Sequence, residues 1–404
     1  MNRTLLFSSV AIVALTMAGP GFAGQGGASG DDMATITQVG ETGGTASQHQ
    51  PGNEGNTATI TQIGGTRDTA TQEQWGNQIS IDFAINGKQT ITQTANLQAV
   101  ATQRSNGGIG AAGDTQTITQ TGNKPNGAVN TTTTQQINNP LGQGNTQTST
   151  QTANVGSSVS QLIGLTIPGN TTSGNDNNTQ TATQSDQTSS TISQSMDMAT
   201  AAPNNINDKQ TASETKTGSN NNITQFMAVG VQNSTQTASI DPGINNTINQ
   251  TQGVASHDNS QEASVGVGSN NLIDQNQFTL SHNNFQVADI PSGDSNFVEQ
   301  IQQMGSFNNN QTTTINGSSS GRALQWQGPG VSGDLQTITQ GGGGSMNQAG
   351  QADANNFSAT SGNGNMQTIT QMGGSGNTAV QNTGLLVGAT GSMAVVSGVV
   401  TRHN

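Results

Sequence analysis

Few side chains in this sequence could carry out covalent or metal chemistry, and their spacing argues against a catalytic centre. His49, His257, His282 and His403 lie far apart without the short intervals that ligate a metal. Cysteine is absent, which excludes disulfides and thiolate sites. The run from Gly108 to Gly113 has the glycine spacing of a dinucleotide-binding turn, but no strand–helix–strand pattern surrounds it. Gly317 to Gly321 has the outline of a nucleophile elbow, again without a strand-to-helix context, and it reads as an arc between strands. Paired carboxylates do not recur, and the aspartates keep no fixed place, as a calcium-binding nonapeptide solenoid would require. The expectation is a protein with no catalytic residues, cofactor, metal or small-molecule substrate. What does recur is the primary amide, which carries two donors and an acceptor and can bond to copies of itself.

The amides recur with a branched aliphatic two residues before them. Ile223, Ile248, Ile273 and Val298 are spaced by 25 residues, as are Gln225, Gln250, Gln275 and Gln300. A second element in the same units holds Gln236, Gln261, Gln286 and Gln311, and Gln325 and Gln336 continue the series. Elsewhere the interval varies: Ile36 with Gln38, Ile60 with Gln62, Ile91 with Gln93, and Ile118 with Gln120, then Gln151 and Gln184. Ten residues after these six glutamines stand Gln48, Gln72, Gln103, Asn130, Gln161 and Gln194, with Ala46, Ala70, Ala101, Ala128, Val159 and Ile192 two before them. Ile338 with Gln340, and Ile369 with Gln371, Ala379 and Gln381, repeat the arrangement near the end. Insertions are expected between units and hardly at all within them.

Each element alternates with period two, as in Gln89-Thr90-Ile91-Thr92-Gln93, so the elements are short strands with Ile and Gln on one face and Thr on the other. Gly, Asn, Asp and Pro fill the intervals and suit tight arcs. One such coil cannot bury its apolar face alone and must stack on a neighbour. The predicted fold is therefore all-β: a β-solenoid of about thirteen stacked cross-β coils over residues 33–384, with two short strands per repeat and backbone pairing about 4.8 Å apart. Composition agrees, since only 29% of 404 residues are hydrophobic and 3% aromatic, too little for conventional cores. Nine basic against 22 acidic residues, a net charge of −13, leave no basic patch for nucleic acid or anionic lipid.

Arg3, the apolar run Leu5 to Ala18 and the small residues up to Ala23 have the plan of a secretory signal peptide over residues 1–23, followed by a Gly-rich leader at 24–32. Trp75 and the alternation Ile79, Ile81, Phe83, Ile85 read as an extra packed strand. The apolar tail at 385–404 lacks the Gln pattern and reads either as a cap on the last coil or as a docking segment.

The segment Asn56-Thr57-Ala58-Thr59-Ile60-Thr61-Gln62-Ile63-Gly64 resembles the curlin repeat, and Ile369, Gln371, Gly373, Asn377 and Ala379 resemble it equally well. The likeness extends through most of residues 33–384 and weakens around 130–145, 196–212 and 318–335. It implies a curli-like functional amyloid at the cell surface of a Gram-negative bacterium. Such a protein is secreted through an outer-membrane pore and polymerises into biofilm fibres on a nucleator or co-subunit. The repeats here are longer and less regular than that family's compact units.

Two functions are thus expected. The first is a homopolymeric fibre subunit whose open end templates the next chain, with Asp68, Asp114 and Asp274 moderating premature assembly. The second is a monomeric adhesin or ice-binding solenoid using Thr-x-Thr rows such as Thr59 with Thr61, Thr90 with Thr92, Thr117 with Thr119, Thr337 with Thr339, and Thr368 with Thr370. The outward pairs Thr247 and Asn249, Leu272 and Asp274, and Phe297 and Glu299 interrupt such a surface, which favours stacking.

Overall fold

A computed structural model gives the architecture. It describes residues 12–15, 22–26, 33–41, 43–49, 56–75, 87–96, 98–107, 113–122, 131–139, 143–164, 176–196, 205–330, 332–341, 346–353, 366–372, 378–382 and 393–398, with the backbone alone at 12–15, 22–26, 74–75, 106–107, 138–139, 352–353, 378–382 and 393–398. Among these the protein is all-β and contains no helix. The chain divides into two compact units, Met1–Asn207 and Asp208–Asn404.

In the first unit, one parallel sheet runs through Ile12–Leu15, Met33–Val39, Thr57–Ile63, Lys88–Thr94, Thr115–Thr121, Thr146–Thr152 and Thr179–Ser185. The second sheet runs through Phe22–Gly26, Thr45–His49, Thr69–Trp75, Val100–Gly107, Thr132–Asn139, Ser158–Ile163 and Thr191–Met196. Each coil supplies one strand to each sheet. The second unit repeats the plan. Its first sheet holds Lys209–Glu214, Thr235–Ile240, Ser260–Ser269, Phe285–Asp294, Asn310–Ser319, Leu335–Gly341, Met366–Met372 and Met393–Gly398. Its second sheet holds Asn222–Met227, Thr247–Gln252, Leu272–Gln277, Phe297–Gln302, Arg322–Gln327, Gln348–Asp353 and Thr378–Asn382.

Alternating burial along the strands follows the alternating sequence. In Thr115–Thr121 the residues Gln116, Ile118 and Gln120 are buried while each Thr is half-buried. The core is one coil thick and must be filled by few side chains, and it is filled by complementary volumes. Ile36, Ile60 and Ile91 on the first sheet share coils with Ala46, Ala70 and Ala101 on the second, all buried in one cluster. Farther along the same unit the sizes exchange: Ser149 is coupled with Val159, and Ala182 with Ile192. In the second unit Ala238 goes with Ile248 and Ala263 with Ile273, and the order reverses again at Ile338 with Ala349.

Arcs between strands turn on residues in the left-handed region. Asn233, Asp258, Asn283 and Asn308 have φ of 51, 53, 50 and 57°, and Asn220, Asn245 and Asn270 have φ of 53, 57 and 59°. Asn and Asp tolerate this conformation better than other side chains bearing a Cβ, which explains their place in the repeat. Gly268 answers a different demand: a Cβ there would run into the carbonyl oxygen of Gly293 in the next coil.

The ten-residue interval within each unit fails at one place. Asn130 and Ala128 lie outside the described residues, and another residue continues the column in Gln120's coil. The strand is Thr132–Asn139, with Gln135 on Gln103 and Gln161. The extra residues lengthen the arc, so insertions are tolerated inside a coil as well as between coils. Strands at Thr132–Asn139, Lys209–Glu214 and Arg322–Gln327 keep parallel register where the curlin-like pattern weakens. The alternation Ile79 to Ile85 lies outside the described residues, as do most of the predicted leader and tail. In the predicted signal-peptide segment Ile12–Leu15 lies parallel on Thr35–Gln38, and in the tail Met393–Gly398 lies parallel on Met366–Gln371.

Candidate functional site

Parallel register puts identical side chains on top of one another, so inward glutamines become columns. In the first unit Gln38 Nε2 donates to Gln62 Oε1 at 2.6 Å, Gln62 to Gln93 at 2.8 Å, Gln93 to Gln120 at 2.8 Å, Gln120 to Gln151 at 2.9 Å and Gln151 to Gln184 at 2.8 Å. On the facing sheet Gln48, Gln72, Gln103, Gln135, Gln161 and Gln194 are linked the same way. The second unit carries one column from Gln210 through Gln236, Gln261, Gln286, Gln311 and Gln336 to Gln367. Another column runs from Gln225 through Gln250, Gln275, Gln300 and Gln325 to Gln351, and Gln340 donates to Gln371.

The second amide hydrogen crosses the core. Gln48 Nε2 donates to Thr35 O at 3.0 Å, Gln72 to Thr59 O at 3.0 Å, and Gln250 to Thr237 O at 2.9 Å. An amide that makes both bonds ties its coil to the next one and its sheet to the opposite one. Buried amides are costly unless paired, by about 1–3 kcal/mol for each unsatisfied group, so the columns hold strand register.

All these bonds run in one sense, from Nε2 of the earlier coil to Oε1 of the later coil. A column that begins inside the stack accordingly lacks a donor at its first oxygen. Gln89 follows Ala58, Gln340 follows Ile315, and their Oε1 atoms have no hydrogen-bond partner. Their Nε2 atoms remain bonded, to Gln116 and Glu73 O and to Gln371 and Arg322 O respectively.

Ile60, Ile91, Ile118, Ile223, Ile248, Ile273, Val298, Ile338 and Ile369 are fully buried beside these columns, and Ile36 nearly so. Gln381 stands opposite Gln351 in backbone register. Two further amide columns escaped sequence reasoning: Gln89, Gln116, Gln147 and Gln180 in the first unit, and Gln277, Gln302 and Gln327 in the second. Their signal was present in the Gln-x-x-x-Gln spacing of strands such as Gln116 to Gln120 and in the Gln-x-Gln spacing of strands such as Gln275 to Gln277.

A second kind of column occupies the corners, where a side-chain oxygen accepts the backbone N–H of the following coil. Asn246 Oδ1 accepts from Asn271 N, and Asn271 Oδ1 from Asn296 N, both at 3.0 Å. Aspartate stands at some of these corners. Asp68, Asp114 and Asp208 accept from Ala99 N, Asn145 N and Ser234 N at 2.9 Å. Burial pushes all three carboxyls up to about 7; the neighbouring Glu41 adds to this at Asp68, and Asp176 at Asp114. Asp68 and Asp114 are thus built into buried corners instead of standing as solvated charges, whereas Asp274 faces outward and half-buried on Leu272–Gln277. His257 and His282 stand at equivalent places in successive coils. Their 25-residue separation stacks the rings, with centroids 4.9 Å apart and planes 6° from parallel. Among the described residues no group of three or more His, Asp or Glu side chains is arranged to hold a metal ion.

Outward positions form the remaining candidate. In the first sheet of the first unit, Thr35, Thr59, Thr90, Thr117, Thr148 and Thr181 align in one rank. Thr37, Thr61, Thr92, Thr119, Thr150 and Thr183 align in a second rank, and every member of both is half-buried. In the second unit, Thr337 with Thr339 and Thr368 with Thr370 lie on the first sheet, whereas Thr247 and Asn249, Leu272 and Asp274, and Phe297 and Glu299 lie on the second. On the first sheet of that unit the equivalent outward pairs run Thr237 with Ser239, Glu262 with Ser264, Val287 with Asp289 and Thr312 with Thr314, so the rows are interrupted there too, and only the first unit keeps them whole. No family model matches the chain, and no curated protein matches it.

Proposed function

We propose that this β-solenoid is a secreted structural subunit that lengthens by stacking copies end on end, in the manner of the curlin-repeat fibres it resembles. The observation that carries the reading is the one-way amide column. A chain end that offers amide donors matches a chain end that offers amide oxygens, so a second copy can continue the same columns in head-to-tail order. The strand rims agree: among the described residues no strand pairs with the outer edge of Thr378–Asn382, and an unpaired edge is a template for another chain. Within this reading the partners are further copies of the chain, with an outer-membrane pore and a nucleator or co-subunit supplied by the resemblance. The apolar segment ending at Ala23 serves for export, and the site of action is the extracellular surface. Binding energy comes from backbone pairing and buried Ile, at about 1.5–3 kcal/mol for each fully buried side chain.

The test compares Ile248→Asp with Thr247→Asp in seeded and unseeded fibre growth. Ile248 is fully buried and Thr247 half-buried, so only the first substitution puts a charge into the stacked face. A lag many-fold longer for Ile248→Asp, with Thr247→Asp close to wild type, is the expected result. Wild-type protein that stays monodisperse with and without seeds, or equal lags for the two variants, overturns the proposal.

A further inference from the structure

The two threonine ranks are not required by the core beneath them. On the facing sheet of the same unit, the core supports His49, Glu73, Arg104, Gln136, Leu162 and Ser195 at equivalent outward positions, with Arg104 and Glu73 paired at 3.0 Å. The other outward rank of that sheet mixes Ser47, Thr71, Thr102, Thr134, Ser160 and Ser193, whereas the first sheet holds Thr alone at both central outward positions of six successive strands. Folding alone leaves that asymmetry unexplained.

The ranks form a rectangular grid. Parallel pairing spaces neighbouring threonines by about 4.8 Å along a rank, and the strand rise spaces the ranks by about 6.6 Å. A β-branched side chain in a strand is stiff at χ1, and each Thr is hemmed by identical neighbours, so the hydroxyls and methyls repeat in fixed positions. The ranks carry no charge and no aromatic ring. Anionic or cationic ligands find no counter-charge there, and a sugar ring finds no flat apolar platform. What fits is a ligand that is itself periodic in two perpendicular directions, uncharged, and made of hydroxyl-sized donors and acceptors. A crystal face of ice has repeats of this size. Ordered water can bridge the hydroxyls while the methyls sit in the hollows between water positions.

We propose that the threonine grid of the first unit binds the surface of ice. The competing occupant is a second copy of the chain, since two Thr faces can interdigitate as a dry sheet-to-sheet contact. Self-assembly along the stack is a separate property: it uses the strand rims and the inward columns, and it leaves this face uncovered.

The experiment measures partition of the full-length chain into slowly growing ice, together with ice shaping and thermal hysteresis, for wild type, Thr117→Lys, Thr92→Lys and Thr134→Lys. Thr117 and Thr92 lie in the two ranks, and Thr134 is an outward residue of the facing sheet. Circular dichroism identical to wild type establishes that each variant is folded, and the two rank variants cover for one another. The expected result is enrichment of wild type and Thr134→Lys in the ice, with enrichment, shaping and hysteresis lost in Thr117→Lys and Thr92→Lys. Exclusion of wild type from ice overturns the proposal, as does undiminished enrichment of folded rank variants. Sedimentation showing that wild type associates side by side while Thr117→Lys does not, without any ice enrichment, assigns the grid to the second copy instead.

Discussion

Replacing Asp114 by Asn tests whether the corner columns control stability through protonation. Asp114 is 7% exposed, and its Oδ1 accepts both the backbone N–H and the side-chain amide of Asn145, at 2.9 and 3.1 Å. Burial raises its carboxyl from 3.8 to about 7, with the negative Asp176 contributing and the Asn145 bonds opposing. In the unfolded chain the group returns to the ordinary carboxylate range, so between about pH 4 and pH 7 the folded state holds the proton more tightly. Stability is then fully present below the unfolded value and falls as pH rises through the folded one. At 1.36 kcal/mol per unit, a rise of about 3 units costs up to about 4 kcal/mol once pH exceeds 7. Asn does not titrate, and Asn145 and Asn178 occupy the same corner in the following coils, with Asn145 Oδ1 accepting Asn178 N at 3.1 Å. Denaturant unfolding of Asp114→Asn at pH 4, 6 and 8 should match wild type within about 1 kcal/mol at pH 4 and exceed it progressively, by up to about 4 kcal/mol, at pH 8. Parallel pH profiles for the two proteins refute the reasoning.

Two further substitutions probe the spacing of coils and the filling of the core. Gly268→Ala directs a methyl at the Gly293 carbonyl oxygen and should destabilise the second unit by about 1–3 kcal/mol, read as a lower denaturant midpoint; Gly350→Ala, where a Cβ meets nothing within 4 Å, is the near-neutral comparison. Ala263→Ile overfills a coil already holding Ile273, at a cost of about 1–3 kcal/mol, and Ile273→Ala alone leaves a cavity costing about 2–5 kcal/mol. Combined, the two should recover much of that loss, because Gln275 donating to Glu262 O places Ala263 across the core from Ile273 and Gln275. Strict additivity in the double-mutant cycle would show that the two sites do not share one volume.

The strands and their inward faces were legible because period-two alternation and a fixed Ile-x-Gln pair are local signals. Gln62 and Gln93, or Gln250 and Gln275, announce their columns by type and spacing alone. Three things were not legible, each for a physical reason. Gln135 was hidden because loop closure costs little for a few added residues, so the arc after Gln120 could lengthen without disturbing the strand that follows. The buried corners of Asp68 and Asp114 were hidden because Asp in a Gly-rich interval is usually solvated, and only stacking shows that its oxygen reaches the next coil's N–H. The unbroken threonine grid was hidden because Thr148, Thr150, Thr181 and Thr183 flank Ser149 and Ala182 instead of Ile, so the familiar Thr-Ile-Thr string stops while the outward rank continues.

Two kinds of inward column divide the task of specifying the stack. A glutamine column fixes the position of a residue along its strand, since a one-residue slip would turn every amide outward and every Thr inward. It cannot say which coil belongs next to which, because almost every coil offers Gln at the same place. The exchange of large and small side chains supplies that information. A coil with Ala263 opposite Ile273 packs against neighbours of the same hand, Ala238 with Ile248 and Ala288 with Val298, whereas the coil with Ile338 opposite Ala349 has the reverse hand. Within a run, Ile stacks on Ile along one sheet and Ala on Ala along the other, so skipping a coil costs little in volume, but crossing between runs sets a large side chain against a small one on both sheets. Order along the chain is therefore encoded at the exchange points, around Ile118 to Val159 in the first unit and around Val298 to Ile338 in the second. Those places, more than the regular coils between them, are where a substitution that equalises side-chain size should let the stack misregister.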